Sequence, residues 1–207
     1  MATILRKWSY QYQWLYDTIA QLSALAVGGE ARFRQLALKG LNLDQHSQIL
    51  DLCCGAGQTT QFLLQYSHHV TGLDASPLAL ERAKKRAPEA NYVEGLAEEL
   101  PFASASFDLV QTSVALHEMT PKQLTQILTE VYRVLKLGGI FACIDLHQPH
   151  NPIFVPGLAI FMTLFETETA WEFVKINLSE KLSAIGFKDC QQTFYAGGSL
   201  QVVQGKK

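Results

Sequence analysis

Five short apolar runs, separated by segments that carry helix-starting signals, constrain this chain more than any other feature. The runs are Gln48 to Cys53, His69 to Asp74, Asn91 to Glu94, Phe107 to Val114 and Ile140 to Leu146. Each is too short for a buried helix and reads as a strand covered on both faces. Ser76-Pro77 supplies an N-cap with proline at the first helical position, followed by Ala79, Ala83 and Arg86 at helical spacing. Thr120-Pro121 repeats the signal. Leu124, Ile127, Leu128, Val131 and Leu135 then recur at intervals of three and four, and Gly138 is the expected C-terminal cap. Strand, helix, strand in repetition forces an α/β fold: a doubly wound, mostly parallel sheet with right-handed crossovers and helices on both faces. Lys188 to Tyr195 and Leu200 to Val203, joined across Gly197-Gly198, read as a hairpin. The expected sheet therefore has seven strands and ends in an antiparallel one. Residues 10 to 40 read as two helical pieces broken at Gly28-Gly29, the second with Phe33, Leu36 and Ala37 on one face. The expected organisation is a helical cap over residues 1–46 and a sheet domain over 47–207, in one folding unit, with ligands at the carboxyl ends of the strands.

Composition narrows the function. The 207 residues suffice for one domain with a substantial core, and 48% of them are apolar. Seventeen basic against nineteen acidic side chains give a net charge of −2. No field recruits a polyanion, so nucleic acid is not an expected partner, and a small or apolar substrate is. Four cysteines, two adjacent as Cys53 and Cys54, form neither a disulfide framework nor a CxxC motif. They point to a reducing compartment. The start, MATILRKWSYQYQWLYD, lacks the apolar stretch of a signal peptide. Cytoplasmic residence is the expectation.

The run Ile49-Leu50-Asp51-Leu52-Cys53-Cys54-Gly55-Ala56-Gly57 leads from the first strand into a helix, so Gly55 and Gly57 stand where a backbone turns tightly and approaches a ligand. A dinucleotide site calls for a third glycine where this chain has Thr60, and a pyrophosphate would face the carboxylate of Asp51. S-adenosylmethionine carries an ammonium and a sulfonium and no phosphate, and an acid before the loop attracts both. Asp74, in Gly72-Leu73-Asp74-Ala75-Ser76 at the end of the second strand, stands where a ribose diol would be accepted. A helix-capping role is the plain alternative for Asp74, with Ser76 already serving as a cap.

These segments resemble the class I S-adenosylmethionine-dependent methyltransferases, a Rossmann-like fold, from about Ile49 through Leu146. ILDLCCGAG is similar to the first motif of that family and GLDAS to its ribose-binding loop. YVEGLAEELPFASASFDLV is similar to the adenine segment and fourth strand, and EVYRVLKLGGIFACID to the helix, turn and fifth strand. The wording looks most like the small-molecule enzymes of ubiquinone and menaquinone biosynthesis. The resemblance implies that Asp51, Gly55 and Gly57 line the methionine end, that Asp74 holds the ribose with Ala75 beside the adenine, and that Ala97 offers its backbone N–H to the ring. Ser113 would lie near the methionine carboxylate or the reactive methyl. Two departures stand out: Cys53 replaces a usual glycine, and Leu96 replaces a frequent aspartate, leaving Glu98 as a substitute acceptor for the adenine amino group. Tyr16, in the aromatic cluster from Trp8 to Tyr16, is the candidate for covering the cofactor.

Methyl transfer from a sulfonium is an in-line displacement, so alignment and exclusion of water come first, and a base helps only where the acceptor has a proton to lose. His117 after the fourth strand and His147 after the fifth are the candidate bases, with loop or cap residues the plain alternative. No metal is expected: His117-Glu118-Met119-Thr120-Pro121 lacks a second histidine, and Asp145, His147 and His150 lack an ordered ligand spacing. Cys53-Cys54 reads as strand-end packing and His68-His69 as the start of an exposed strand, rather than as reactive or metal-binding pairs. Ser113-Val114-Ala115 carries none of the Asn-Pro-Pro-aromatic signature of amide- and adenine-methylating enzymes. PIFVPGLAIFMTLF, from Pro152 to Phe165, is too short and too broken to span a bilayer. It reads as a lid over an apolar substrate or a peripheral membrane contact, or else as a core helix with its connection. The leading expectation is methyl transfer from S-adenosylmethionine to an O or C atom of a small, apolar acceptor. A cofactor-binding subunit or regulator without strong catalysis is the alternative, and a nucleotide-cofactor oxidoreductase follows behind it.

Overall fold

A computed structural model describes residues 27–165 and 167–207. Its centre is a seven-stranded sheet in the order β3-β2-β1-β4-β5-β7-β6. The strands are β1 (Ile49–Leu52), β2 (Val70–Asp74), β3 (Asn91–Glu94), β4 (Phe107–Ser113), β5 (Leu135–Leu146), β6 (Lys188–Tyr195) and β7 (Leu200–Lys206). β1 to β5 pair in parallel, and β7 runs antiparallel to both β5 and β6. The expected hairpin forms, but its second arm is the inner one. β7 inserts between β5 and β6, so the edge strand β6 runs with the parallel set.

The helices are α1 (Glu30–Leu36), α2 (Gln58–Leu63), α3 (Pro77–Arg86), α4 (Pro121–Val134), α5 (Val155–Phe165), α6 (Glu168–Phe173) and α7 (Leu178–Ile185). Strand side chains alternate between faces, and the two cores follow that period. Leu50, Leu52, Val110 and Phe141 pack with α4 and α7. Ile49, Leu109 and Ala142 pack with Phe33 and Leu36 of α1 and with Phe62 and Leu63 of α2. Asp51 shares the period of Ile49 and so belongs to the face that carries α1 and α2.

The helix starts match the sequence reading. Ser76 Oγ accepts from Ala79 N, and Thr120 with Gln123 forms a complete capping box. The stop of α4 differs. It ends at Val134, where Leu135 is already extended (φ −68°, ψ 139°). Gly138 caps nothing: its φ of 81° bends the opening of β5, where the register against β4 shifts between Phe107 and Leu109. Leu135 is drawn from the helix because it pairs with Phe107. β2 and β4 lie on opposite sides of β1, so the strand order reverses beside β1 and opens a crevice at the carboxyl ends.

Candidate functional site

The turn after β1 coils through three left-handed residues, Cys53 (φ 57°), Gly55 (φ 55°) and Gly57 (φ 80°). Cys53 has a side chain in a conformation that costs about 1–2 kcal/mol outside glycine, which gives the usual glycine at this position a physical reason. A Cβ on Gly57 would stand 3.0 Å from Cα and Cβ of Ala83, so this glycine lets α2 lie against α3. It sits behind the loop and is not among the cleft-lining residues.

The cleft has a volume of about 600 Å³. Asp51, Cys53, Gly55, Asp74, Ala75, Leu96, Ala97 and Ser113 of the sequence-predicted site all line it. Tyr16 lies outside the described residues.

Asp51 is buried, 1% exposed, and its Oδ2 accepts from Thr60 Oγ1 at 2.6 Å. Burial pushes its carboxyl up to about 7, against the opposing pull of the Thr60 bond and the Arg34 charge. Thr60, which stands in place of a third glycine, is thus the donor that satisfies the acid. Asp74 ties the loops together: Oδ2 accepts from Gly55 N at 2.8 Å and Oδ1 from Ser76 N at 2.9 Å. Each carboxylate oxygen has a second lone pair, so the loop-bracing role leaves capacity for hydroxyl donors. Burial and the neighbouring Asp74 and Asp51 charges raise the Cys53 thiol, which keeps it protonated and unreactive.

At the other end of the cleft Leu96 is 58% exposed and Ala97 is buried. Glu98 Oε1 accepts from Gln123 Nε2 at 2.7 Å. Gln123 Oε1 in turn accepts from Thr120 N at 3.1 Å and from Thr120 Oγ1 at 2.8 Å, so the helix cap sets the amide's orientation and the amide aims the carboxylate. Sequence reasoning named Glu98 and missed Gln123, although Thr120-x-x-Gln123 is a legible capping box. It also missed Arg34, whose Nη1 donates to Thr59 Oγ1 at 2.6 Å and to Ser113 Oγ at 3.3 Å. One of two arginines on a seven-residue helix, Arg34 carries no signal in sequence that separates it from Arg32.

The strand end after β4 is also strained. Val114, a β-branched residue, has φ 54°, and its N–H donates to Ile144 O at 2.8 Å. Asp145 holds the next turn: Oδ2 accepts from Leu116 N at 2.8 Å and from Ala115 N at 3.2 Å, and Oδ1 stands 2.6 Å from His117 Nδ1. His117 is 1% exposed, with its ring beside Phe173. It lies under the cleft wall rather than in it, while its neighbour Glu118 lines the cleft. His147 is placed elsewhere. Its Nδ1 donates to Gly198 O at 3.0 Å, and its ring meets His150 edge-on and lies tilted against Phe194, outside the cleft lining. Among the described residues no cluster of three metal-ligating side chains occurs.

The apolar run forms a 3₁₀ turn (Pro152–Phe154) and then α5. Among the described side chains of α5 only Met162 is fully buried, and Ile160 is 61% exposed, as is Ile153 of the preceding turn at 81%. The core-helix reading holds for one side of α5, where Leu158, Phe161 and Met162 pack with Leu146, Ala170 and Val174, and fails for the side that carries Val155 and Ile160. No described helix is long and apolar enough to cross a membrane.

A family described as a methyltransferase domain matches residues 49–139. An uncharacterized methyltransferase of Synechocystis sp. is 57% identical over 206 residues, covering 100% of this chain and 97% of that protein. A demethylmenaquinone methyltransferase of Lactiplantibacillus plantarum is 32% identical over 164 residues, 72% of this chain and 68% of that protein. An S-adenosylmethionine-dependent methyltransferase from Aquifex aeolicus shares the fold with a TM-score of 0.66 at 16% identity, covering 92% of this chain and 95% of that one. The Haloferax volcanii protein solved in complex with the Trm112 methyltransferase activator shares it with a TM-score of 0.71 at 17% identity, covering 100% and 98%. Joined to the glycine loop, the two strand-end acids and the sheet order, these likenesses identify the chain as a member of the class I S-adenosylmethionine-dependent methyltransferases.

Proposed function

We propose that the chain binds S-adenosylmethionine in the cleft after β1 and transfers its methyl group to an O or C atom of a small, apolar acceptor in the cytoplasm. The observation that carries the cofactor reading is the charge of the wall: Asp51, Asp74, Glu98 and Glu118 line the cleft against Arg34 and Arg82. An acid-lined cleft suits a cationic nucleoside and opposes a diphosphate. Asp51, Cys53, Gly55 and Ser113 hold the amino-acid and sulfonium end, Asp74 the ribose, and Ala75, Leu96 and Ala97 the adenine, with Glu98 accepting from its amino group in place of an aspartate at 96. Gly57 sets the loop's height over α3. Residues 1–46 act as the cap, with Tyr16 over the cofactor.

Bound there, the cofactor supplies an electrophilic methyl on a sulfonium. The chain's own contribution is alignment and dryness, because displacement at that carbon needs no covalent help from protein. His117 is the better placed of the two candidate bases. Asp145 fixes its Nδ1 as the donor, as an orienting acid does for a general base, and its turn adjoins the cleft wall. His147 is assigned a second, outer position. The exposed apolar face of α5 and the 3₁₀ turn before it supports an acceptor of low polarity, delivered from a membrane surface or under this segment acting as a lid. The Lactiplantibacillus relative is a demethylmenaquinone methyltransferase, and an aromatic ring with an ionisable hydroxyl and an activated ring carbon fits the same description.

Calorimetric titration with S-adenosylmethionine and with NAD tests the cofactor. Micromolar binding of the first and none of the second is expected, and the reverse overturns the reading. Incubation with methyl-labelled S-adenosylmethionine and a lipid extract then tests the acceptor, with label expected in an organic-soluble product. Binding without transfer to any extract fraction would favour the cofactor-binding regulator.

A further inference from the structure

The turn that joins β6 to β7 is coiled more tightly than a hairpin needs. Ala196, Gly197 and Gly198 are left-handed in succession, with φ of 48°, 64° and 94°, and Ala196 carries a Cβ in a region that favours glycine. Strain of this kind persists only where the surroundings over-determine it, and here the surroundings are the chain that leaves β5. Gly197 O accepts from both His150 N at 3.0 Å and Asn151 N at 2.9 Å, and Ser199 O accepts from His147 N at 3.0 Å. Gly198 O takes the bond from His147 Nδ1. The turn is also cut away for its neighbours. A Cβ on Gly197 would overlap the Phe154 ring, standing 2.6 Å from Cε2, and one on Gly198 would stand 2.6 Å from His150 N. Beside the turn, the Phe194 ring of β6 lies 4.6 Å from that of His147 and 4.5 Å from that of His150.

α5 follows Phe154 directly and has one other hold, the side where Phe161 and Met162 pack with Leu146, Ala170 and Val174. The apolar segment is thus pinned at its base by the turn and along one side by a small cluster, with Ile153 and Ile160 in solvent. With so few contacts, the fit at the base decides the angle at which α5 leaves the sheet. We propose that the turn Ala196–Gly198 is the seat of the segment after β5, and that Phe154, locked over Gly197, is a positioning residue that sets where α5 receives the apolar part of the acceptor. The proposal rests on the reading of α5 as an acceptor surface and assigns the placing of that surface to the hairpin at the far edge of the sheet. His147 belongs to the seat through its Nδ1 bond. None of these residues lines the cleft after β1, so the seat serves the acceptor and not the cofactor.

Amide exchange on the full chain reads the seat directly. Phe154→Ala and Gly197→Ala should each speed exchange across Val155–Phe165 about tenfold and leave Gln58–Leu63 unchanged. Alanine at 197 brings backbone strain whatever stands at 154, but it meets a ring only where Phe154 is present. In the double variant, Gly197→Ala should therefore add nothing to the exchange that Phe154→Ala has already caused. Additive effects overturn the lock, and so does unchanged exchange in Phe154→Ala. Should Gly197→Ala not fold, Phe154→Ala decides alone, since its ring is 36% exposed and leaves the two main cores intact. The acceptor is read separately, with methyl-labelled S-adenosylmethionine and a lipid extract. The KM expressed as extract concentration should rise about fivefold in Phe154→Ala, with the affinity for S-adenosylmethionine unchanged. Faster exchange with an unchanged KM overturns the positioning role, and a loss of S-adenosylmethionine affinity marks a general structural role and overturns it too. Absence of labelled product from the wild type instead sinks the acceptor reading beneath it, and the exchange pattern alone then decides whether the turn is the seat.

Discussion

The region after β1 and β2 and the region after β5 stand at the same edge of one sheet and are built in opposite ways. Around β1 and β2 both acids have short partners: Asp51 with Thr60, and Asp74 with Gly55 and Ser76. After β5 the chain runs into a segment whose large side chains, Ile153, Val155 and Ile160, face solvent. The first arrangement holds a defined shape before any ligand arrives, which favours recognition at low ordering cost. The second leaves apolar surface to be covered, which favours a greasy ligand and little geometric discrimination. Between them lies the Asp145–His117 pair, and it decides how firmly the two regions are joined.

The largest effect is expected there. Asp145→Ala removes the acceptor for His117, Ala115 N and Leu116 N at one buried point. Loss of one partner of a buried pair costs about 3–5 kcal/mol, so urea denaturation should show a drop of that order. A loss below about 1 kcal/mol would mean that the turn after β4 is held by its packing alone. Next comes Asp74→Ala, which should weaken S-adenosylmethionine binding by about 1–3 kcal/mol in a calorimetric titration. Unchanged affinity would leave Asp74 as a loop brace only and shift the recognition of ribose elsewhere.

How much of this could be read from the sequence divides along the same line. The stripe Leu124, Ile127, Leu128 and Val131 named α4 and its buried face because amphipathic spacing carries direction, and all four are fully buried. α5 has no such spacing. A uniformly apolar run gives length and hydrophobicity but no face, so its exposure was not legible. The glycine loop and both strand-end acids were legible from their order along the chain, since a strand, a tight turn and a helix leave few places for Asp51 and Asp74. Gly138 misled because a left-handed glycine serves a bulged strand as well as a helix end. Arg34 and the burial of His117 were hidden for another reason: both depend on residues more than twenty positions away, Thr59 for one and Asp145 for the other.

A smaller effect concerns protons. The Asp51 carboxyl is raised from an ordinary 3.8 to about 7, chiefly by burial. The folded protein therefore holds an extra proton between those values, and this residue's contribution to stability is complete below about 3.8 and lost as pH rises through about 7. A cationic ligand works in the opposite direction because it favours the ionised acid. Affinity for S-adenosylmethionine should rise by roughly tenfold from about pH 6 to about pH 8, with proton release visible as a buffer-dependent heat. Asp51→Asn should flatten that slope. A flat slope in the wild type would show that Asp51 does not meet the ligand's charge.

The smallest effect on the folded protein is the most telling about the second region. Ile160 is 61% exposed and lies on α5, so Ile160→Asn removes little packing and should change stability by no more than about 0.5 kcal/mol. It should also leave S-adenosylmethionine affinity unchanged, because no described side chain of α5 lines the cleft after β1. If the apolar acceptor covers this face, the substitution withdraws about 40 Å² of apolar contact, worth roughly 1 kcal/mol at about 25 cal/mol per Å². The KM for the acceptor should then rise about fivefold while the kcat stays near its wild-type value. A change in kcat with KM constant would place α5 in the alignment of the reacting atoms, and no change in either would move the acceptor to another wall. Only an acceptor-specific KM effect keeps the division of labour in which β1 and β2 hold a rigid, charged cofactor site and the segment after β5 offers an apolar surface.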